Sequence, residues 1–227
     1  MGVVAPTSIT YFKEVLIIYM KKGIYIIAVF MSIALVFLSS CKKEDCDPGF
    51  NVGISYGTFT DDRDGYEYKT VKIGDQIWMA ENLRYFEKGE KSIDCNVYGQ
   101  LYGEYTVKNA CPSGWHLPSQ EEWMELADSL GGVQIAGGSL KESGTEHWQS
   151  PNTDATNISG FTALPAGAFD HNSGGYDRGK STYFWSSTEI ENGSIVFIQL
   201  KHDQEDIVFF ENCICDRAFS IRCIKDK

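Results

Sequence analysis

The chain has 227 residues, with 20 Lys and Arg against 31 Asp and Glu, a formal net charge of −11. An acidic balance of this size repels polyphosphate backbones, so nucleic-acid binding is excluded as a primary role. Seven cysteines and 13% aromatic residues describe a chain able to bury a real core and to staple it.

The first readable segment is N-terminal. Met20-Lys21-Lys22 is followed by an uncharged apolar run, Ile24 to Leu38, and then by Ser39-Ser40-Cys41. A basic start, an apolar stretch and small residues before a cysteine read as a bacterial lipoprotein signal peptide. The pattern resembles the lipobox, which implies cleavage before Cys41 and lipidation of that residue. The competing reading is a transmembrane helix over Gly23 to Ser40, which the lipobox-like end and the charges after it disfavour. Residues 1–40 are thus assigned to the signal, with the true start read as Met20, and residues 41–53 to a lipidated tether containing Lys42-Lys43-Glu44-Asp45. Several acyl chains on one residue are needed for stable anchoring, since each buried methylene contributes about 0.8 kcal/mol. The expected location is the cell envelope, at the outer membrane, facing either the periplasm or the medium.

Residues 1–40 hold three Lys and one Glu, so the mature chain carries 17 basic and 30 acidic side chains, a net of −13. It also keeps six cysteines: Cys46, Cys95, Cys111, Cys213, Cys215 and Cys223. An even number in an exported chain implies disulfides, with 15 possible connectivities. Zinc is disfavoured because no C-x-x-C or H-x3-H spacing occurs and His116, His147, His171 and His202 are scattered. No metal and no other cofactor is implied.

Residues 54–227 read as one α+β domain with strands at both ends. Gly57 to Thr60 and Tyr66 to Ile73 alternate around Asp61 to Gly65, a hairpin signal, and Gly74-Asp75 turns the chain into Gln76 to Met79. A second helix is considered over Tyr98 to Asn109. The strongest helix signal follows: Ser119 and Glu122 form a capping box, Trp123, Leu126, Ala127 and Leu130 share a face, and Gly131-Gly132 ends the segment. Residues 131–185 are rich in Gly, Ser, Asn, Thr and Asp, a long loop region. Strands are expected at Thr182 to Ser186, Ser194 to Leu200, Ile207 to Phe210 and Ala218 to Ile224.

Four blocks carry a resemblance: Thr70 to Leu83 (TVKIGDQIWMAENL), Cys111 to Pro118 (CPSGWHLP), Phe184 to Thr188 (FWSST) and Phe219 to Cys223 (FSIRC). In this order they resemble the Fibrobacter succinogenes major paralogous domain over about residues 54–226. That family occurs in exported and surface proteins of Bacteroidetes and Fibrobacteres, and no general activity is implied. The blocks are more distantly similar to the C-type-lectin and formylglycine-generating fold. This implies a C-type-lectin-like domain with terminal β-strands, one or two helices and a long loop region that carries the binding surface. The resemblance also implies a Cys111–Cys223 disulfide, which leaves Cys46 and Cys95 to pair with Cys213 and Cys215 in an unassigned order.

Several residues invite function. Asp62-Arg63-Asp64-Gly65 offers calcium-ligand carboxylates but lacks the rest of a calcium loop, so a hairpin turn is favoured. The Glu-Pro-Asn and Trp-Asn-Asp motifs of sugar-binding C-type lectins are absent. Trp78, Trp115, Trp123 and Trp185 are read as core, as is His116, whereas Trp148 lies in a polar stretch. Asp170, His171, Asn172, Tyr176, Asp177 and Arg178, interspersed with glycines, have the composition of an adaptable recognition loop. With Trp148 they are the candidate ligand-binding residues. Cys213-Ile214-Cys215 is the one place for cysteine chemistry, and structural disulfides are preferred there. The expected function is a non-catalytic lipoprotein module for an extracellular glycan or protein. The alternatives are a structural surface protein without a discrete ligand, and a cysteine-dependent oxidase.

Overall fold

The computed structural model describes residues 49–86, 95–191, 193–211 and 216–227, with only the backbone of residues 95 and 96. Cys41, Cys46, Cys213 and Cys215 lie outside the described residues, as does the side chain of Cys95. Residues 46–227 cluster as one compact unit.

The first hairpin forms as its pattern requires. Strand β1 (Gly57–Asp61) pairs antiparallel with β2 (Tyr66–Ile73), and β2 pairs with β3 (Gln76–Met79). The turn closes with Gly65 N–H on the Asp61 carbonyl at 2.7 Å, Gly65 taking φ +75°. Asp61 is fully buried and its carboxylate accepts from Arg63 Nη2 at 2.6 Å, so this charge is spent on an internal pair.

Residues 98–109 are a correction to the second helix. The stretch contains the last residue of a one-turn helix α1 (Cys95–Tyr98), strand β4 (Leu101–Gly103) and a one-turn helix α2 (Glu104–Val107). The cause is tertiary: Gly99 sits at φ +73° and breaks the helix, and Leu101, Tyr102 and Gly103 are recruited by pairing to β11 (Arg217–Ser220).

After β5 (Trp115–His116), helix α3 (Gln120–Ser129) carries the expected capping box. Ser119 Oγ accepts from Glu122 N–H at 3.2 Å and the Glu122 carboxylate accepts from Ser119 N–H at 2.8 Å. Its apolar stripe buries Trp123, Leu126 and Ala127, Trp123 meeting Trp78 with ring centroids 4.8 Å apart. Helix α4 (Ala136–Leu140), within the expected loop region, has no comparable sequence signal.

Two sheets result. The first runs β1-β2-β3-β12-β5, where β12 is Ile224–Lys225. The second runs β10-β9-β8-β11-β6-β7, with β4 added on β11. Its remaining strands are β6 (Ala168–Asp170), β7 (Gly174–Tyr176), β8 (Ser181–Glu189), β9 (Ile195–Lys201) and β10 (Val208–Phe210). The single strand expected over Ala218 to Ile224 is therefore divided between the sheets. Arg222 lies at the crossover, 1% exposed, and its guanidinium donates to Asn82 Oδ1 and to the carbonyls of Met79, Phe161 and Thr162. Phe161 and Phe184 flank it, and burial lowers its pKa to about 9. The Cys111–Cys223 disulfide ties the beginning of the CPSGWHLP block to the residue after Arg222. The class is α+β, as expected.

Candidate functional site

The candidate recognition loop is largely a hairpin. Strands β6 and β7 pair from Ala168–Tyr176 to Asp170–Gly174, and residues 171–173 form the tip. Asp170 Oδ1 accepts the N–H groups of Asn172 (2.9 Å) and Ser173 (3.0 Å), and these two bonds hold its carboxyl below the usual carboxylate range. His171 and Asn172 are exposed at the tip. His171 N–H donates to the Asp216 carbonyl at 3.0 Å, and its ring meets the edge of Phe169 at 5.5 Å. At the base, a Cβ on Gly167 would lie 2.3 Å from the Tyr176 carbonyl oxygen, which fixes glycine where the strands close.

The other three candidates lie on the returning limb. Asp177, at φ +58°, accepts from the Tyr183 hydroxyl at 2.6 Å and stacks a turn onto Ser181 through its own carbonyl. The Tyr183 phenol is raised by burial and by this carboxylate. The Arg178 guanidinium sits 5.0 Å from the Tyr98 ring, and that ring meets His147 edge-on at 5.8 Å. His147 Nδ1 lies 2.8 Å from a Glu142 carboxylate oxygen, a bond that raises the imidazole above its ordinary pKa against the opposing effect of burial. Tyr98 and His147 thus join the hairpin candidates on the Arg178 side. Glu142 and His147 carried no periodic signal, only a spacing of five in a polar stretch.

Two expectations are overturned. Trp148 is not a surface platform: it is 1% exposed, packs in the core with Trp123 and Phe161, and donates Nε1–H to the Ala163 carbonyl at 2.9 Å. A polar sequence neighbourhood concealed it, because the surrounding loop folds over the ring. Nor is His116 a core histidine. Its side chain is 41% exposed, with Nδ1 2.6 Å from Asp226 and Nε2 2.9 Å from Glu122. Burial lowers this imidazole's pKa, but hydrogen bonds to Asp226 and Glu122 outweigh it, and the value stands above the ordinary one. The other four tryptophans, Trp78, Trp115, Trp123 and Trp185, are buried as expected.

The polar loop is held by a buried cation. Lys141, with no exposed surface, donates Nζ–H to the carbonyls of Thr153 (2.9 Å), Lys201 (2.9 Å) and Gln204 (2.7 Å). Desolvation lowers its pKa to about 8, opposed by Asp154, Asp203, Asp206 and Glu205. All three ammonium protons are used, so this amine serves the fold. Among the described residues no group of three or more His, Cys, Asp or Glu side chains is placed to hold a metal ion.

No curated protein and no solved structure matches the chain. The model of the Fibrobacter succinogenes major domain matches residues 71–225, spanning β2 to β12 and all four sequence blocks except the start of the first. The chain belongs to the Fibrobacter succinogenes major domain family.

Proposed function

We propose that this protein is a cell-envelope lipoprotein whose single domain is a non-catalytic binding module for an extracellular glycan or protein, anchored through Cys41. The observation that carries the reading is the β6–β7 hairpin. It presents His171 and Asn172 to solvent and Arg178 beside Tyr98, while its base is fixed by Gly167, Asp177 and the pairing to β11. Exposed aromatic and hydrogen-bonding groups on a fixed base suit recognition, because little is lost in ordering them.

A C-type-lectin-like architecture belongs to this proposal. It is supported by the late strand β12 closing between β3 and β5, by the Cys111–Cys223 bond and by a long loop region that carries the hairpin. The oxidase alternative depends on Cys213 and Cys215. Thiol counting on the native chain separates it, since two reactive thiols there would favour it over structural disulfides.

The test is a glycan array, with envelope and host-surface proteins as a second panel, probed with residues 46–227. Saturable binding that falls in a His171→Ala/Asn172→Ala/Arg178→Ala variant supports the module. Binding unchanged in that variant removes the hairpin from the account. Palmitate-analogue labelling that is lost in Cys41→Ala supports the anchor, and unchanged labelling contradicts it.

A further inference from the structure

A cleft of about 280 Å³ opens between the end of α2, the end of β5 with Leu117, and the last residues of β8 with the first of β9. None of its lining residues belongs to the hairpin. We propose that this cleft beside His116 is a second binding site, which takes one neutral, hexose-sized sugar residue.

Its floor is apolar: Val107, Leu117 and Ile195 line it and are buried in the core. Its rim is polar and paired. The Lys108 ammonium meets the Glu189 carboxylate, and both side chains keep about half or more of their surface exposed, at 63% and 49%. His116 forms another wall. Its ring is oriented from behind by Glu122 of α3 and by Asp226 after β12, so the wall is preorganised. Ser187 closes the remaining side, its N–H donating to the Pro118 carbonyl at 2.9 Å.

Three features select the ligand class. An apolar floor beneath a small number of convergent polar groups is the usual form of a small-molecule pocket, and this volume lies at the small end of such pockets, which admits one ring and not two. The flat C–H face of a pyranose suits the floor, while its hydroxyls donate and accept and can therefore bridge Lys108 and Glu189 without replacing either charge. Pairing of the charges disfavours the alternatives. Lys108 is held by Glu189 and both His116 ring nitrogens are engaged by Glu122 and Asp226, so an anion finds no uncommitted positive group. A cation would have to displace Lys108 from Glu189, the one carboxylate that lines the cleft.

The site stands independently of the hairpin reading, and the test separates the two. The full lipidated chain in dodecyl dimethylamine oxide micelles, a detergent without sugar, is titrated with glucose, galactose, mannose and N-acetylglucosamine. The methyl signals of Val107, Leu117 and Ile195 are followed by NMR. At least one sugar is expected to shift them saturably. Ser187→Trp, which fills the cleft, abolishes the shift; Glu189→Gln weakens binding about tenfold, as loss of one charged hydrogen-bond partner does. Arg178→Ala leaves it unchanged. No saturable shift with any of the four sugars, or a shift that survives Ser187→Trp, overturns the proposal and leaves the hairpin reading standing. Array binding that is lost in Ser187→Trp and kept in the hairpin variant supports the cleft and removes the hairpin.

Discussion

The junction at Arg222 and the hairpin at residues 168–178 use polar side chains in opposite ways. At the junction a guanidinium with 1% exposure satisfies one amide oxygen and three carbonyls from segments distant in sequence, and every group involved is withdrawn from solvent. At the hairpin tip Asp170 bonds its own neighbours Asn172 and Ser173, one backbone bond from His171 reaches Asp216, and the His171 and Asn172 side chains are exposed. A buried polar network specifies one arrangement because each lost partner strands others. An exposed turn tolerates substitution and is free to serve recognition.

Breaking the frame should therefore cost much more than altering the hairpin. The largest loss is expected on removing the Cys111–Cys223 bond, whose partners are 112 residues apart. A loop of this length stabilises by about 4 to 5 kcal/mol in the chain-entropy model, so the Cys111→Ser/Cys223→Ser variant should lose most of its urea resistance. Next is Arg222→Met, which leaves the carbonyls of Met79, Phe161 and Thr162 and the Asn82 amide without their donor. A loss of about 3 kcal/mol is expected from equilibrium unfolding.

Lys141→Met should cost about 2 kcal/mol at neutral pH, because three buried carbonyls lose their donor. Its pH dependence is distinctive. Below about pH 8 folded and unfolded chains both hold this proton; between about 8 and the ordinary 10.5 the unfolded chain holds more. Stability contributed by Lys141 therefore rises with pH across that window, and the Met variant should lack the rise. His116 works in the opposite direction. Its folded pKa is raised, so its contribution is complete below the ordinary value of 6.5 and is lost as pH climbs through the folded value. Unfolding midpoints of His116→Gln should accordingly converge on those of the native chain as pH rises. The smallest effect is expected at the hairpin tip, where His171→Ala and Asn172→Ala should each shift stability by no more than about 0.5 kcal/mol.

Legibility in the sequence followed the same division. Helix α3 was readable because its capping box and apolar stripe are local, and the first hairpin because Asp64-Gly65 punctuates strict alternation. The hairpin candidates were readable as a group by composition, although their pairing into β6 and β7 was not. What escaped detection depends on distant partners. Nothing near Lys141 predicts that the carbonyls of residues 153, 201 and 204 converge on its ammonium. Trp148 was misread because its neighbours are polar, and His116 because Trp115 and Leu117 beside it are buried while its own ring points to Glu122 and Asp226. Arg222 stood in a recognised block, yet its role is visible only where Asn82 and Phe161 meet it.

The central claim is that a stapled frame carries a separable recognition hairpin, and one paired measurement addresses it most directly. Ligand binding and thermal unfolding are recorded side by side for the native chain and the His171→Ala/Asn172→Ala/Arg178→Ala variant. The account predicts that binding falls by an order of magnitude or more while the unfolding midpoint moves by only a few degrees, about what a loss of 1 kcal/mol produces in a domain of this size. Binding retained in full, or a variant that binds less only because it has unfolded, would contradict it.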